Sequence, residues 1–184
     1  MSITMPIYDE DTDQPRIYVA SLAHYNAGEL VGKWMDVPAT ADELWDDIND
    51  FISEQTLDGQ PVEEWAVHDY EYLTGVSEYP DLEALVAQAN LVFEYGEPAR
   101  EWLDLGWGLG LDPDEWERRF EDQFIGTYDS KEDYVLGFLR SVYDIPEELE
   151  SYFDTEQYAV VLESGSTTFA RGKRGSVYVF DSSL

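Results

Sequence analysis

The sequence predicts an α+β protein of three small domains, because two kinds of hydrophobic spacing occupy different parts of the chain. Apolar residues alternate with polar ones near the start and end, as in half-buried strands, and recur every three to four residues in between, as in amphipathic helices. The 184 residues are 43% hydrophobic and 15% aromatic, which is enough for packed cores. The domains are predicted at 1–72, 73–124 and 125–184.

The first predicted domain, 1–72, combines three strands with one helix. Its strands alternate apolar and polar residues and are bounded by turn residues. They are RIYVASL (Arg16–Leu22), ELVGKWMDV (Glu29–Val37) and EEWAVHDYEY (Glu63–Tyr72). HYNAG (His24–Gly28) is predicted to be the turn that joins the first two strands as a hairpin.

The helix of this domain is predicted from Ala41 to about Glu54. Thr40 and Glu43 form the T-x-x-E pattern of a capping box, in which each side chain satisfies a backbone N–H of the other residue. Apolar residues recur at helical spacing on one face, namely Leu44, Trp45, Ile48, Phe51 and Ile52.

The other face of this helix carries only acidic charge. Its acids are Asp42, Glu43, Asp46, Asp47 and Asp50. Like charges four residues apart destabilise a helix by roughly 0.2–0.5 kcal/mol per pair. The helix dipole favours acids only in the first turn. Either the face is simply solvated, or something other than helix stability favours these residues.

Negative charge sets the whole composition apart. The chain has 41 Asp and Glu against 10 Lys and Arg, for a formal net charge of −31. Such a field repels nucleic acid and anionic membranes, so neither is a predicted partner, and it attracts basic surfaces. Between Lys33 and Arg100 there are seventeen acids and no Lys or Arg. Because Trp, Leu, Ile, Val and Tyr are interleaved with these acids, the charge is predicted to lie on a folded scaffold.

Features of export are not evident in the sequence. The segment Met1–Pro15 has neither the basic region nor the apolar region of a signal peptide. No apolar run is long enough to cross a bilayer. The absence of cysteine excludes disulfides and thiol metal sites and fits a reducing compartment, so a cytoplasmic location is predicted.

The second predicted domain, 73–124, is helical. Helices are predicted over PDLEALVAQANLVFEYG (Pro80–Gly96) and EPAREWLDL (Glu97–Leu105), with a loop at GWGLG (Gly106–Gly110). A further helix is predicted over DPDEWERRFEDQF, with Asp112 as its N-cap and Pro113 at its first position.

The third predicted domain, 125–184, begins with helices and ends with strands. Ser130 is predicted to cap a helix within Ile125–Ile145, and PEELESYFD from Pro146 is a short helical stretch. The predicted strands are YAVVLES from Tyr158, TTFARG and SVYVF, the last two joined by the basic turn GKRG (Gly172–Gly175).

No motif of the sequence specifies catalysis, a metal or a cofactor. The run DEDTD (Asp9–Asp13) resembles a calcium loop, but Gln14 and Ala20 stand where Gly and Glu are needed, which favours a solvated tail. His24 and His68 lack zinc spacing and are predicted to be structural or surface residues. The glycine-rich loop at 106–110 lacks the Lys and Ser/Thr of a phosphate loop. A chance carboxylate pair could make the protein a hydrolase, and this enzyme alternative stays open.

The acidic surface itself has two main interpretations at this point. One is the solvated surface of a salt-adapted protein with no special partner. The other is a binding surface for something basic. Duplex DNA carries one charge per about 1.7 Å of its axis, so a charge of −31 at that density would cover about 53 Å. The chain therefore carries enough charge to imitate a long piece of duplex.

Several blocks of the sequence resemble the ArdA family of antirestriction proteins. RIYVASLAHYNAGELVGKWMD is similar to the family's opening, and EEWAVHDYE and IGTYDSKEDY are similar to two further blocks in the same order. YFDTEQYAVVLES and GSVYVF complete the resemblance, which spans roughly Arg16 to Phe180.

This resemblance implies an elongated, three-domain α+β homodimer that imitates DNA and is carried on mobile genetic elements. Such a protein occupies the DNA-binding groove of type I restriction–modification enzymes, at their methyltransferase core. The acids expected to stand in for phosphates are Asp42, Glu43, Asp46, Asp47, Asp50, Glu54, Glu63, Glu64, Glu78, Asp81, Glu83, Glu94, Glu97, Asp112, Asp114 and Glu115.

The resemblance also implies a dimer contact in the C-terminal domain. The corresponding region is about Leu136–Asp154. The apolar residues expected at this contact are Leu136, Phe138, Leu139, Val142, Tyr143, Ile145, Leu149, Tyr152 and Phe153.

Overall fold

The protein is described by a computed structural model that covers residues 14–143, 146–150 and 152–184. It is an α+β protein, as predicted, with 47% helix and 22% strand. The chain divides into two compact units, Met1–Trp116 and Glu117–Leu184. The predicted first domain and most of the predicted second domain fall in the first unit, and the division into three domains stays a prediction.

From residue 14 onwards, the first unit contains five strands and four α-helices, followed by the start of a fifth α-helix. The strands are β1 (Arg16–Ser21), β2 (Gly32–Asp36), β3 (Thr56–Leu57), β4 (Gln60–Pro61) and β5 (Trp65–Glu71). The helices are α1 (Leu22–Asn26), α2 (Ala41–Ser53), α3 (Leu82–Tyr95), α4 (Glu97–Asp104) and α5 (Trp116–Gln123), which continues into the second unit.

The main sheet of this unit has the order β2-β1-β5 and is antiparallel throughout. In the central strand β1, Ile17, Val19 and Ala20 are fully buried. All three predicted strands are therefore confirmed, with slightly shorter limits. The short β3–β4 hairpin was not predicted, because two-residue strands carry too little periodicity to be recognised.

The connection between β1 and β2 differs from its prediction. The sequence predicted a simple hairpin turn at His24–Gly28, but the chain forms the short helix α1 and leaves it at Gly28, whose φ is +85°. A non-glycine residue is strained at this φ, so Gly28 is what allows the chain to turn back towards β2.

Helix α2 packs its predicted apolar face against the sheet. Leu44, Ile48 and Ile52 are buried in one core with residues of β1, β5 and α3. Trp45, which the sequence assigned to the same face, is instead 48% exposed. It lies at the edge of the buried stripe, next to the acidic face.

Thr40 caps α2 as predicted, but the Glu43 side chain contacts the Thr40 hydroxyl, whereas a full capping box has it accept from the Thr40 backbone N–H. The backbone N–H of Glu43 donates to Thr40 Oγ1 over 3.3 Å, and Thr40 Oγ1 donates to Glu43 Oε2 over 2.9 Å. Replacing Thr40 by Ala should lower the free energy of unfolding by about 1 kcal/mol, because an N-terminal N–H loses its acceptor. Urea unfolding followed by circular dichroism measures this change. Thr40→Ser keeps the hydroxyl and should be close to neutral, and an equal loss in both variants would contradict the capping role.

Helices α3 and α4 confirm two more predictions, and Gly96 separates them as expected. Gly96 has a φ of +69°, and its N–H donates to the carbonyl of Val92. Asp112 is the N-cap residue and Pro113 follows it as predicted, although the side chain of Asp112 makes no cap hydrogen bond. A 3₁₀ turn over Pro113–Glu115 comes first, and α5 follows it.

In the described part of the second unit, helices α6 and α8 pack against an antiparallel sheet of order β6-β8-β7. The strands are β6 (Phe124–Tyr128), β7 (Thr167–Arg171) and β8 (Val177–Asp181), and the helices are α6 (Lys131–Val142), α7 (Glu147–Glu150) and α8 (Thr155–Glu163). Ser130 caps α6 as predicted, accepting from the N–H of Asp133 over 3.1 Å. Two strands near the end are confirmed, and β6 was not predicted.

The predicted strand from Tyr158 is wrong, because this segment belongs to α8. Asp154 caps the helix by accepting from the N–H of Gln157. Only Ala159 is fully buried in it, with Tyr158 and Leu162 packed partly against the core of the unit. Apolar runs of this length are compatible with a strand or a helix, so the spacing alone could not assign this segment correctly.

The described part of the chain contains no helix of the length and hydropathy needed to span a membrane. The predicted calcium-like run Asp9–Asp13 lies outside the described residues.

A candidate acidic binding surface

The acidic face of α2 is exposed along its whole length. Asp42, Glu43, Asp46, Asp47 and Asp50 all have exposed side chains. The apolar face fixes this arrangement, because burying Leu44, Ile48 and Ile52 directs the intervening positions towards water. Within the described residues, no Lys or Arg forms an ion pair with any of the five.

The other acids predicted to contact a partner are distributed over the rest of the first unit. Those with exposed side chains are Glu54, Glu63, Glu64, Glu78, Asp81, Glu83, Glu94, Asp112, Asp114 and Glu115. They occupy the end of α2, the approach to β5, both ends of α3 and the 3₁₀ turn before α5. Fifteen of the sixteen predicted acids are thus exposed.

Some of the predicted acids have structural partners of their own. Glu97 is half-buried, and its Oε1 lies 3.5 Å from Arg100 Nη2. Asp81 caps α3 by accepting from the N–H groups of Glu83 and Ala84. Glu43 accepts a hydrogen bond from the hydroxyl of the α2 cap residue Thr40. Helix capping and ion pairing within the chain therefore explain some of these acids without a binding partner.

Near α4, burial changes the ionisation of one carboxyl group. Burial raises the pKa of Glu101, and the nearby charge of Asp104 raises it further, while Arg100 acts in the opposite direction. Glu101 is therefore less readily ionised than a carboxyl group in water, and it was not among the predicted site residues.

Arg16 and Arg100 form ion pairs with acids of the stretch between Lys33 and Arg100. Arg16 Nε donates to Glu71 Oε2 over 2.6 Å at the edge of the sheet, and Arg100 Nη2 lies 3.5 Å from Glu97 Oε1. In the second unit, Arg140 binds both carboxylate oxygens of Glu150 and lowers the pKa of that carboxyl group. Acidic charge is thus partly balanced in the second unit and largely unbalanced around α2.

The two histidines have separate structural surroundings. His24 is buried, with Nδ1 2.9 Å from Ser21 Oγ and Nε2 3.2 Å from the carbonyl oxygen of Thr56. It therefore ties β3 to the end of β1. The ring of His68 contacts Tyr25 edge-on at 4.7 Å between centroids. In the described part of the chain, no group of three or more His, Asp or Glu is placed to hold a metal ion.

The residues predicted for the dimer contact divide into a core set and a surface set. Leu139 is only 2% exposed and belongs to the core of the second unit, so its side chain is not available to a second protomer. Leu136 and Phe138 are half-buried, and Ile145 lies outside the described residues. The exposed members are Val142, Tyr143, Leu149, Tyr152 and Phe153.

Two further exposed apolar residues lie on α8. Val160 and Val161 are both more than half exposed. The sequence did not mark them, because the same segment was predicted to be a strand with one buried face. We call the exposed set Val142, Tyr143, Leu149, Tyr152, Phe153, Val160 and Val161 the C-terminal apolar patch.

Taken together, these features define a small α+β protein with a largely unpaired acidic surface on its first unit and exposed apolar residues on its second. The sequence matches the antirestriction protein family ArdA over residues 17–173. The chain belongs to the ArdA family, and its function is antirestriction. No curated protein matches the chain.

Proposed function

We propose that the chain acts by DNA mimicry, binding the methyltransferase core of type I restriction–modification enzymes in place of duplex DNA. The observation that carries the proposal is the face of α2, where five carboxylates are exposed and lack basic partners among the described residues. Three like-charge pairs at four-residue spacing destabilise this helix. A partner that supplies Arg and Lys to this face explains why an antirestriction protein keeps these acids although they destabilise the helix.

The other exposed acids of the first unit extend the proposed contact. A groove that binds DNA is lined by Arg and Lys aimed at phosphates. Carboxylates held on helices and strands can bind those Arg and Lys side chains in place of phosphates. Base-specific contacts are not needed for this. Affinity then comes from many weak charge contacts, because exposed ion pairs each contribute only about 0.2–1 kcal/mol.

We assign the C-terminal apolar patch to a homodimer contact. Large exposed apolar areas on a small protein mark interaction sites. Tyr143 and Tyr152 suit such a contact, since aromatic side chains are enriched in the centres of interfaces. A symmetric dimer doubles the length of acidic surface offered to the enzyme.

Displacement of DNA from a type I methyltransferase tests the proposal directly. The purified protein is titrated into the enzyme bound to fluorescently labelled DNA, at several salt concentrations. We expect displacement, and we expect the affinity of the protein for the DNA-free enzyme, measured separately, to weaken with salt as that of DNA does. A surface replacing about six to ten phosphates would lose roughly 10³–10⁵ in affinity between about 50 and 200 mM salt.

Three other outcomes would contradict the proposal. No displacement at low salt, together with unfolding of the protein there, would favour a salt-adapted acidic protein. Turnover of a substrate that is lost on removing one carboxylate pair would favour a hydrolase. An affinity for the DNA-free enzyme that does not depend on salt would contradict charge mimicry.

A further inference from the structure

We propose that an open cleft beside α2 receives one arginine side chain of the basic partner, so that a single specific contact is embedded in the distributed acidic surface. The inference rests on the proposed function, and it names the chemical group recognised at one place within it. The cleft has a volume of about 630 Å³ and lies between α1, α2 and the residues that precede β5.

Aromatic rings form much of the cleft wall. Trp45 and Trp65 meet edge to face, with 6.4 Å between ring centroids and an interplanar angle of 62°. Tyr79 lines the same cleft. Trp45 is 48% exposed and Tyr79 is 64% exposed, so ring surface is open to a ligand. The faces of such rings attract cations, Trp most strongly and Arg more often than Lys.

Two carboxylates complete the lining. Glu63 and Glu64 both contribute to the cleft and are both exposed. Among the described residues, no Lys, Arg or His lies within ion-pair distance of either. A planar guanidinium can stack on an indole while its N–H groups donate to a carboxylate at its edge. Aromatic faces and unpaired carboxylates in one cleft therefore select a cationic, planar group.

The backbone around the cleft is held in place. The carbonyl of Glu64 accepts from the N–H of Leu22 over 3.0 Å, and the carbonyl of Glu78 accepts from the N–H of Val67 over 2.9 Å. Trp45 projects from a helix whose neighbouring turns are anchored by buried Leu44 and Ile48. The cleft is therefore largely formed before a ligand arrives, which lowers the entropic cost of binding.

The probe for the test is N-acetyl-arginine amide, and N-acetyl-citrulline amide is its neutral isostere. Each is titrated into ¹⁵N-labelled protein while the indole N–H signals of the six tryptophans are followed. The signal that disappears in Trp45→Leu identifies Trp45. We expect that signal to shift saturably with the arginine probe and not with the citrulline probe. Uniform shifts of all six indoles would overturn the proposal.

Matched variants separate the cleft from general charge attraction. Glu63→Gln with Glu64→Gln, and separately Trp45→Leu, should weaken binding of the arginine probe by about threefold to tenfold. Asp58→Asn with Asp69→Asn removes the same charge from exposed positions of the same unit and should change binding by less than about twofold. Equal weakening in both double variants would overturn the proposal. Thermal unfolding of each variant confirms that it is folded.

The same variants connect the cleft to the enzyme. In the DNA displacement assay, Trp45→Leu should weaken inhibition by about threefold to tenfold. Displacement by a protein that fails to bind the arginine probe would contradict the cleft and leave the proposed function intact. Probe binding by a protein that never displaces DNA would contradict the proposed function, and it would support the cleft as a guanidinium site.

Discussion

Neutralising the five acids of α2 together should weaken inhibition of a type I enzyme by about fivefold or more while leaving the stability of the protein nearly unchanged. The combined variant carries Asp42→Asn, Glu43→Gln, Asp46→Asn, Asp47→Asn and Asp50→Asn. Five exposed ion pairs at about 0.2–1 kcal/mol each sum to about 1–5 kcal/mol, and every 1.4 kcal/mol is tenfold in affinity. Each single change should cost less than about fivefold.

Stability should change little because two effects of these charges oppose each other. Removing the three like-charge pairs should raise the free energy of unfolding by about 0.6–1.5 kcal/mol. Neutralising Asp42 and Glu43 in the first turn should lower it by about 0.3–1 kcal/mol each, because both acids lose a favourable interaction with the helix dipole. Urea unfolding gives the stability, and DNA displacement gives the inhibition. A variant that is weaker as an inhibitor but equally stable excludes misfolding as the cause.

A second combined variant separates position from total charge. It neutralises five other exposed acids, Asp58, Asp69, Asp129, Glu132 and Glu156, and alters the net charge equally. We expect a smaller loss of inhibition than for α2. Equal losses would show that only total charge matters. Complete loss of inhibition from any single acid change, with fold and dimer intact, would contradict the distributed surface.

Placing a charge in the C-terminal apolar patch should convert the proposed dimer to monomers and weaken inhibition by about 10²–10⁴ if both protomers engage one enzyme. Tyr152→Asp suits this test because its side chain is 84% exposed, so the fold of the unit loses little. A carboxylate buried in an interface lacks a partner and is strongly unfavourable. Sedimentation velocity gives the oligomeric state, and the DNA displacement assay gives the inhibition.

The matched control for this variant lies in the first unit. Leu109→Asp replaces an apolar residue that is 85% exposed and does not belong to the patch. It should leave both the dimer and the inhibition nearly unchanged. Persistence of the dimer in Tyr152→Asp would remove the patch from the interface. Loss of the dimer with full inhibition would mean that a single protomer suffices.

Local signals explain why much of the first unit could be predicted. Thr40 and Glu43 mark the start of α2, Gly96 marks the end of α3, and partial alternation of apolar and polar residues marks β1 and β5. Each of these signals involves residues only a few positions apart, so the elements can be recognised without tertiary information. The exposed acids of α2 follow from the same spacing, since its apolar residues determine which face is buried.

The second unit was predicted less well because its segments are locally ambiguous. The run containing Val160 and Val161 suits a strand by composition, yet it forms the exposed side of α8. Strand β6 is short and contains Gly126, which weakens any strand pattern. Leu139 and Tyr152 both looked like interface residues, although one is in the core and the other on the surface.

The sequence by itself determined the α+β class, the acidic face of α2 and membership of an antirestriction family, because local spacing and contiguous motifs carry that information. Only the tertiary structure decided which carboxylates have partners, which apolar side chains remain on the surface, and that Trp45, Glu63 and Tyr79 line one cleft. Those properties depend on segments that are distant in sequence and adjacent only after folding, so no local pattern encodes them.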